Sequence, residues 1–143
     1  MSPDATIEER ERAVVEEFAF FDDWMGRYEY LIEQGKSVPL IPDGLKDEDH
    51  RIRGCQSQVW VHAEGRDGLV FYTADSDALI TKGLVALLIR VLSGQPPEAI
   101  AGARLEFLDE IGLKDHLSPT RKNGLAGMVR QMKLFALAEH ANN

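Results

Sequence analysis

The chemistry that this chain could carry is concentrated at Cys55, because it is the only cysteine among 143 residues. Gly54 precedes it, and the polar residues Gln56, Ser57 and Gln58 follow it. Glycine adopts backbone angles that other residues resist, and small polar residues are typical of a turn that meets water. The sequence therefore predicts a thiol on an accessible loop tip, where another molecule can reach it.

A solitary exposed thiol can attack a carbonyl, sense oxidation or accept sulfur. Attack on a carbonyl needs an oriented base and an oxyanion hole. His50 and His62 flank Cys55 at five and seven residues, but nothing in the sequence places either ring against the thiol. An oxidation sensor works better with a resolving cysteine, which is absent, so it is the weaker alternative. Sulfur acceptance needs the least, because the thiolate attacks a persulfide held on another enzyme, whose own thiolate leaves.

Length and charge limit what can surround this thiol. A chain of 143 residues with 44% hydrophobic content predicts a single domain over residues 1–143. The formal net charge of −8 repels phosphate backbones and anionic membranes, so we expect neither nucleic acid nor membrane as a partner. One cysteine provides neither an internal disulfide nor a Cys-rich metal site, and we expect no bound metal.

The location of the protein is predicted from what its sequence lacks. No apolar run reaches the roughly 18 to 20 residues that a membrane span needs. The first six residues do not have the basic and apolar regions of a signal peptide. We therefore expect a cytoplasmic protein.

Strand-like residues after the loop predict the scaffold that positions the thiol. Residues 58–63 and 69–73 favour strands, and the stretch between them contains two glycines, so we predict a β-hairpin. Small or apolar residues alternate with charged residues over positions 103–108, and this pattern predicts another strand. The predicted sheet therefore has about three strands.

Apolar residues at helical spacing predict the remaining elements. One helix begins after Thr6, which with Glu9 forms a capping box, and a second covers residues 20–34. The most apolar helix follows an N-cap at residues 75–77, and a last helix begins at Pro119 with Ser118 as its cap. Gly83 lies inside the most apolar helix, where close approach of another backbone would explain it.

The last helix has a basic side in an otherwise acidic protein. Arg121, Lys122, Arg130 and Lys133 provide it, and solvation of an exposed face is the simple interpretation. Cations at a helix start oppose the helix dipole, so Arg121 and Lys122 also fit a site for an anionic group.

The heptad Gly-Cys-Gln-Ser-Gln-Val-Trp at residues 54–60 resembles the signature of the SufE family of sulfur acceptors, the cysteine desulfuration proteins. Further positions resemble the family in the same order, so the similarity covers nearly the whole chain; they are Tyr30-Leu31-Ile32, Ala74 to Ala78, Lys82-Gly83-Leu84, Leu117-Ser118-Pro119, Arg121 and Gly124-Leu125.

This resemblance implies an α+β fold shared with NifU-like scaffold proteins, in which a small, curved, mostly antiparallel sheet packs against a layer of helices. It also implies a partner, a cysteine desulfurase of the SufS type that carries pyridoxal phosphate, while the chain itself needs no cofactor. The sulfur would then pass to the SufBCD scaffold for iron–sulfur cluster assembly.

The resemblance also implies roles for individual residues. Cys55 would carry the persulfide, and Gly54, Gln56, Ser57 and Gln58 would give its loop shape and mobility. Arg121 would contact the desulfurase. Support of the loop would come from a separate set, namely Trp60, Asp75, Ser76, Asp77 and Gly83.

Besides the weaker oxidation sensor, two alternatives to this function stay open at this point. The chain could serve a CsdA-type desulfurase and deliver sulfur to another pathway such as tRNA modification. It could instead dock on a desulfurase as a regulator without relaying sulfur. A homodimer is compatible with either function.

Overall fold

A computed structural model describes residues 5–55 and 57–142 of the chain, with side chains as far as residue 139. The elements run in the order α1 (Ile7–Phe18), α2 (Trp24–Gly35), β1 (Val59–Arg66), β2 (Leu69–Ser76), α3 (Leu79–Leu92), α4 (Pro97–Gly102), α5 (Phe107–Glu110), α6 (Leu113–His116) and α7 (Pro119–Asn142). Within these ranges no helix is both long and apolar enough to cross a membrane.

The predicted hairpin is confirmed. β1 and β2 pair antiparallel from Val59 opposite Ser76 to Arg66 opposite Leu69. Asp67 and Gly68 between them both have positive φ, the conformation that a tight two-residue hairpin turn requires.

Single bridges rather than further strands cover both edges of the hairpin. On the β1 side, the Ile52 amide donates to the Val59 carbonyl at 2.8 Å. On the β2 side, the Ala74 amide donates to Pro39 at 2.8 Å and the Val70 amide to Gln95 at 2.9 Å. The bonds of Pro39 and Ile52 tie the long segment between α2 and β1 to the sheet. This segment leads directly into the cysteine loop.

The α+β class is confirmed, but the strand predicted over residues 103–108 is wrong, because two strands form the sheet of the described residues. Ala103, Leu105 and Phe107 are buried, as their alternation requires. Leu105, however, has φ of +57°, and this left-handed residue turns the chain into α5. Leu108 is also buried, so the segment packs through a helical face.

α3 is the central core element, as its apolar pattern predicted. Leu84, Leu87, Leu88, Val91 and Leu92 are almost completely buried. It packs against α2, the hairpin and α7, so most of the hydrophobic core is arranged around it. The hairpin that follows the cysteine loop and helix α7 are therefore both fixed to α3.

Gly83 explains how closely α2 and α3 pack. A Cβ on Gly83 would lie 2.3 Å from the carbonyl oxygen of Leu31, a separation that no real side chain could keep. A Cβ on Gly35 would lie 3.0 Å from the Gly83 amide nitrogen. The close backbone approach predicted at Gly83 is confirmed, and its place is this helix crossing.

The N-cap predicted at residues 75–77 is wrong. α3 begins at Leu79, and its N-cap residue, Ala78, makes no side-chain capping bond. The Asp77 carboxylate instead accepts from the backbone of the cysteine loop. By contrast, the capping box of Thr6 and Glu9 on α1 is confirmed.

Candidate functional site

Cys55 is half-buried between its own loop and the N-terminal half of α7. Its Sγ–H donates a weak hydrogen bond to the carbonyl oxygen of Gly124, with Sγ and O 3.7 Å apart. Gly54 has φ of +90°, and nothing lies within 4 Å of where a Cβ would stand, so the loop turns here as the glycine predicted. The thiol is held in one place by a contact that is easily released.

Two glycines of α7 allow the cysteine loop to pack directly against this helix. A Cβ on Gly124 would lie 3.1 Å from the Cys55 sulfur, and a Cβ on Gly127 would lie 2.9 Å from the carbonyl oxygen of Arg53. Residues three apart share one helix face, so these glycines form a flat seat for residues 53–55. Gly127 was not among the predicted site residues, and Gly124 was noted only as part of the resemblance. Two glycines at this spacing inside a helix were the available signal.

The other flank of the loop is tied to the turn between β2 and α3. The Gln58 amide donates to the Asp77 carboxylate at 2.9 Å, and the Ser76 hydroxyl donates to the Gln58 carbonyl at 2.8 Å. The hydroxyls of Ser57 and Thr81 share a hydrogen bond at 2.9 Å. The last of these bonds connects the loop to α3, and the other two connect it to the residues just before that helix. The predicted role of Gln56 lies outside the described residues.

Asp75 fixes the end of β2, just before the same turn, through charge. Its carboxylate accepts from Lys46 Nζ at 2.7 Å and lies 3.3 Å from Lys82 Nζ. Burial alone would raise its pKa, but hydrogen bonds from Lys46, the Ser76 amide and Lys82 outweigh burial and hold the pKa below its ordinary value. The Lys46 ammonium also lies 5.7 Å from the centre of the Trp60 ring. Asp75 and Trp60 therefore fix the scaffold behind the loop and do not contact the thiol through any of these bonds.

The thiol opens into a cavity of about 360 Å³ between the loop, α3 and α7. Cys55 and Ser57 form one side of its lining, Thr81 lies on α3, and Arg121, Gly124 and Met128 belong to α7. Its polar and apolar walls could shelter a group attached to the sulfur.

Burial raises the pKa of the Cys55 thiol. The neutral thiol is thus favoured in the isolated protein. His50 and His62 do not change this, because they bond to each other at 3.2 Å, and His50 bonds to Asp47 at 2.7 Å. Neither ring makes a hydrogen bond to the sulfur, so neither His50 nor His62 forms a catalytic pair with Cys55.

Arg121 lines the cavity beside Cys55. Its Nη1 donates to the Tyr28 hydroxyl at 2.6 Å, an exposed bond between α7 and α2. The guanidinium is therefore placed at the mouth of the site, where an incoming molecule would meet it. Gly83 does not line this cavity, and any support that it gives the loop acts through the position of α3.

No group of three or more His, Cys, Asp or Glu side chains with metal-binding geometry occurs over residues 5–55 and 57–139. The site is thus defined by the sulfur, the hydroxyls and one arginine.

Fold and site together define a small α+β protein built around one sheltered cysteine on a loop. A family model described as "SufE: Fe-S metabolism associated domain" matches residues 12–136. The chain belongs to the SufE family.

Curated relatives agree with this assignment. An uncharacterised SufE-like protein of Rhizobium meliloti is 41% identical over 127 residues, which cover 84% of this chain and 89% of the relative. A second one, from Synechocystis, is 38% identical over 135 residues and covers 94% of this chain and 84% of the relative. A chloroplastic/mitochondrial SufE-like protein 1 of Arabidopsis thaliana is 39% identical over 87% of this chain, which spans only 34% of that protein.

The fold also has a solved counterpart. The solution structure of a hypothetical protein from Thermus thermophilus superposes with a TM-score of 0.77 at 25% identity, covering 92% of this chain and 96% of that one.

Proposed function

We propose that this protein is a sulfur acceptor, in which Cys55 takes persulfide sulfur from a cysteine desulfurase of the SufS type. The desulfurase carries the pyridoxal phosphate, and the chain brings no cofactor of its own. Membership of a family tied to Fe–S metabolism supports this role. The single observation that carries it is the position of the lone thiol, half-buried at the wall of an open cavity.

The reaction balances without any oxidant. The Cys55 thiol loses its proton, and the thiolate attacks the outer sulfur of the donor persulfide. One S–S bond forms on Cys55 while the donor's S–S bond breaks, and the electron pair leaves on the donor's cysteine thiolate. Delivery repeats this exchange, with Cys55 as the leaving thiolate. The proposed receiver is the SufBCD scaffold of iron–sulfur cluster assembly.

The structure supports a carrier better than a self-sufficient enzyme. The raised pKa of Cys55 disfavours the nucleophilic thiolate in the isolated protein, and no described base lies within hydrogen-bond reach of the sulfur. Deprotonation therefore falls to the docked complex, which confines the reactive form to the moment of transfer. Burial against α7 would likewise shelter the persulfide between partners.

The test is intact mass spectrometry after mixing the protein with a SufS-type desulfurase and free cysteine. We expect one added sulfur, about 32 Da, that dithiothreitol removes by thiol exchange. Cys55→Ser should gain no mass and should no longer stimulate cysteine turnover. Stimulation that survives in Cys55→Ser would show a docking regulator instead, and absence of added sulfur on the wild type would refute the proposal.

A further inference from the structure

A long apolar groove lies on the side of α7 that faces away from the cysteine loop. It encloses about 680 Å³ between α7 and the α4–α6 segment. Its floor is made of Leu105, Leu108, Leu125, Val129, Leu134 and Leu137. Leu134 and Leu137 are 51% and 47% exposed, so two leucines on the same side of one helix are open to solvent beside the groove.

The charge of this groove is opposite to that of the protein. Its lining includes Arg104, Lys114, Lys122, Arg130 and Lys133, and it includes no carboxylate, although the chain carries 24 acidic residues and a net charge of −8. The basic side of the last helix noted in the sequence is thus the rim of an apolar groove.

Three of these cations are not neutralised by a carboxylate within the described chain. Lys114 pairs with Asp109 at 3.1 Å and Arg104 lies 3.9 Å from Glu106. Lys122, Arg130 and Lys133 have no described carboxylate within 4.0 Å, although Lys133 donates to the Ala103 carbonyl. Cations beside exposed leucines attract a ligand that is apolar on one side and acidic on its flanks.

The dimensions of the groove match a helix. Its α7 wall runs from Lys122 to Leu137, 15 residues apart, which corresponds to about 22 Å at 1.5 Å per residue. A partner helix of about four turns would fill this length. Its apolar residues at helical spacing would cover the floor, and acidic residues on either side would face the rim.

We propose that this groove docks an acidic amphipathic helix of a second protein. Another copy of this chain does not fit, because the acidic helix α1 buries its own apolar side through Ile7, Val14 and Phe18. An anionic membrane fits less well, because an extended lipid surface would face much of the chain's net charge of −8, whereas a single helix seated in the groove faces mainly its basic rim. Since Gly124 and Gly127 face the cysteine loop from the other side of α7, the groove and the thiol can be occupied together.

The probe is a fluorescent 16-residue peptide with leucines at helical spacing and glutamates on both flanks, titrated onto the full chain. We expect it to bind at least about tenfold more tightly than a scrambled peptide or one with lysines replacing the glutamates. Added salt should weaken binding. The alkylation rate of Cys55 should not change when the peptide is bound.

Lys122→Glu combined with Arg130→Glu should weaken peptide binding at least about tenfold. Lys36→Glu combined with Arg66→Glu is the matched control, since it makes the same charge change on exposed residues elsewhere and should bind like the wild type. Leu134→Asn should also weaken binding while the protein stays folded, because Leu134 is half exposed.

Three results would overturn the inference. The first is no preference for the acidic amphipathic peptide over the scrambled one. The second is dimerisation that Leu134→Asn abolishes, which would assign the groove to another copy. The third is binding to phosphatidylglycerol vesicles in place of the peptide. None of these measurements uses sulfur transfer, so they test the groove independently of the function proposed for Cys55.

Discussion

The Cys55 sulfur faces the carbonyl oxygen of Gly124 across 3.7 Å, and no side chain on that residue separates them. The two residues are 69 positions apart in the chain. The depth of the thiol is therefore set by the absence of one methyl group on α7, which makes Gly124 the most direct point at which to alter the site without touching the sulfur.

Gly124→Ala should impair sulfur acceptance and preserve the fold. The new Cβ would lie 3.1 Å from Sγ, and the thiol can avoid it by rotating about χ1. Helix propensity adds up to about 1 kcal/mol of stability at the same time. We expect an unfolding free energy equal to or above that of the wild type, with slower gain of sulfur mass from a desulfurase. If Gly124→Ala gained sulfur as fast as the wild type, the contact between Gly124 and the Cys55 sulfur would have no role in transfer.

Gly127→Ala should instead destabilise the protein. Its Cβ would meet the main-chain oxygen of Arg53 at 2.9 Å, and a backbone atom cannot rotate away. The loop has to shift, and overpacking of this kind costs about 1–3 kcal/mol. Urea unfolding measures the change. Gly102→Ala is the control, because nothing lies within 4 Å of its added Cβ, and there stability should not fall. Equal effects at Gly102 and Gly127 would exclude a specific clash.

Local patterns predicted the elements that carry the site. The turn around Gly54, the hairpin behind it and the buried helix α3 all follow from periods of two or 3.6 residues and from turn residues. The predicted strand over 103–108 failed because alternation over so few residues does not fix backbone direction. One left-handed residue, Leu105, redirects the segment.

The glycine seat on α7 and the bonds of Asp77 could not be predicted from local patterns. Both join segments that are far apart in sequence, Gly127 to Arg53 and Asp77 to Gln58. A glycine in a helix has the same local signature whether it is tolerated or required. An aspartate before a helix favours an N-cap until a competing backbone amide occupies it.

Asp77→Ala should loosen the cysteine loop and leave the core intact. Only the exposed bond to the Gln58 amide is lost, so the unfolding free energy should fall by about 1 kcal/mol or less. Hydrogen exchange of the Gln58 amide, followed by NMR, should become faster. Asp23→Ala provides the control, because that carboxylate accepts from the Gly26 amide at 2.8 Å on α2. Unchanged exchange at Gln58 in Asp77→Ala would refute this anchoring role.

Alkylation of Cys55 should show a pKa above the ordinary thiol value. Burial disfavours the charged thiolate, so the reactive fraction at neutral pH is lower than in an exposed cysteine. We expect the iodoacetamide rate to rise with pH around a midpoint that moves down when the chain is unfolded in urea. A midpoint in the folded protein at or below the unfolded one would show that burial does not control this thiol.

Arg121→Gln should weaken the response of a desulfurase and leave the thiol itself unchanged. Arg121 lines the cavity, but its described hydrogen bond runs to Tyr28 and none reaches Cys55. The alkylation rate of Cys55 should therefore match that of the wild type. If the guanidinium meets the partner, stimulation of cysteine turnover should require at least about fivefold more of the variant.

Two controls separate this contact from a general charge effect. Lys122→Gln removes the same charge from the neighbouring residue, which lines the groove on the other side of α7, so stimulation should persist. Tyr28→Phe frees the guanidinium from its 2.6 Å bond, so stimulation should persist there as well. Equal losses in Arg121→Gln and Lys122→Gln would assign the effect to net charge. A loss in Tyr28→Phe would instead indicate that the bond itself orients Arg121 for the desulfurase.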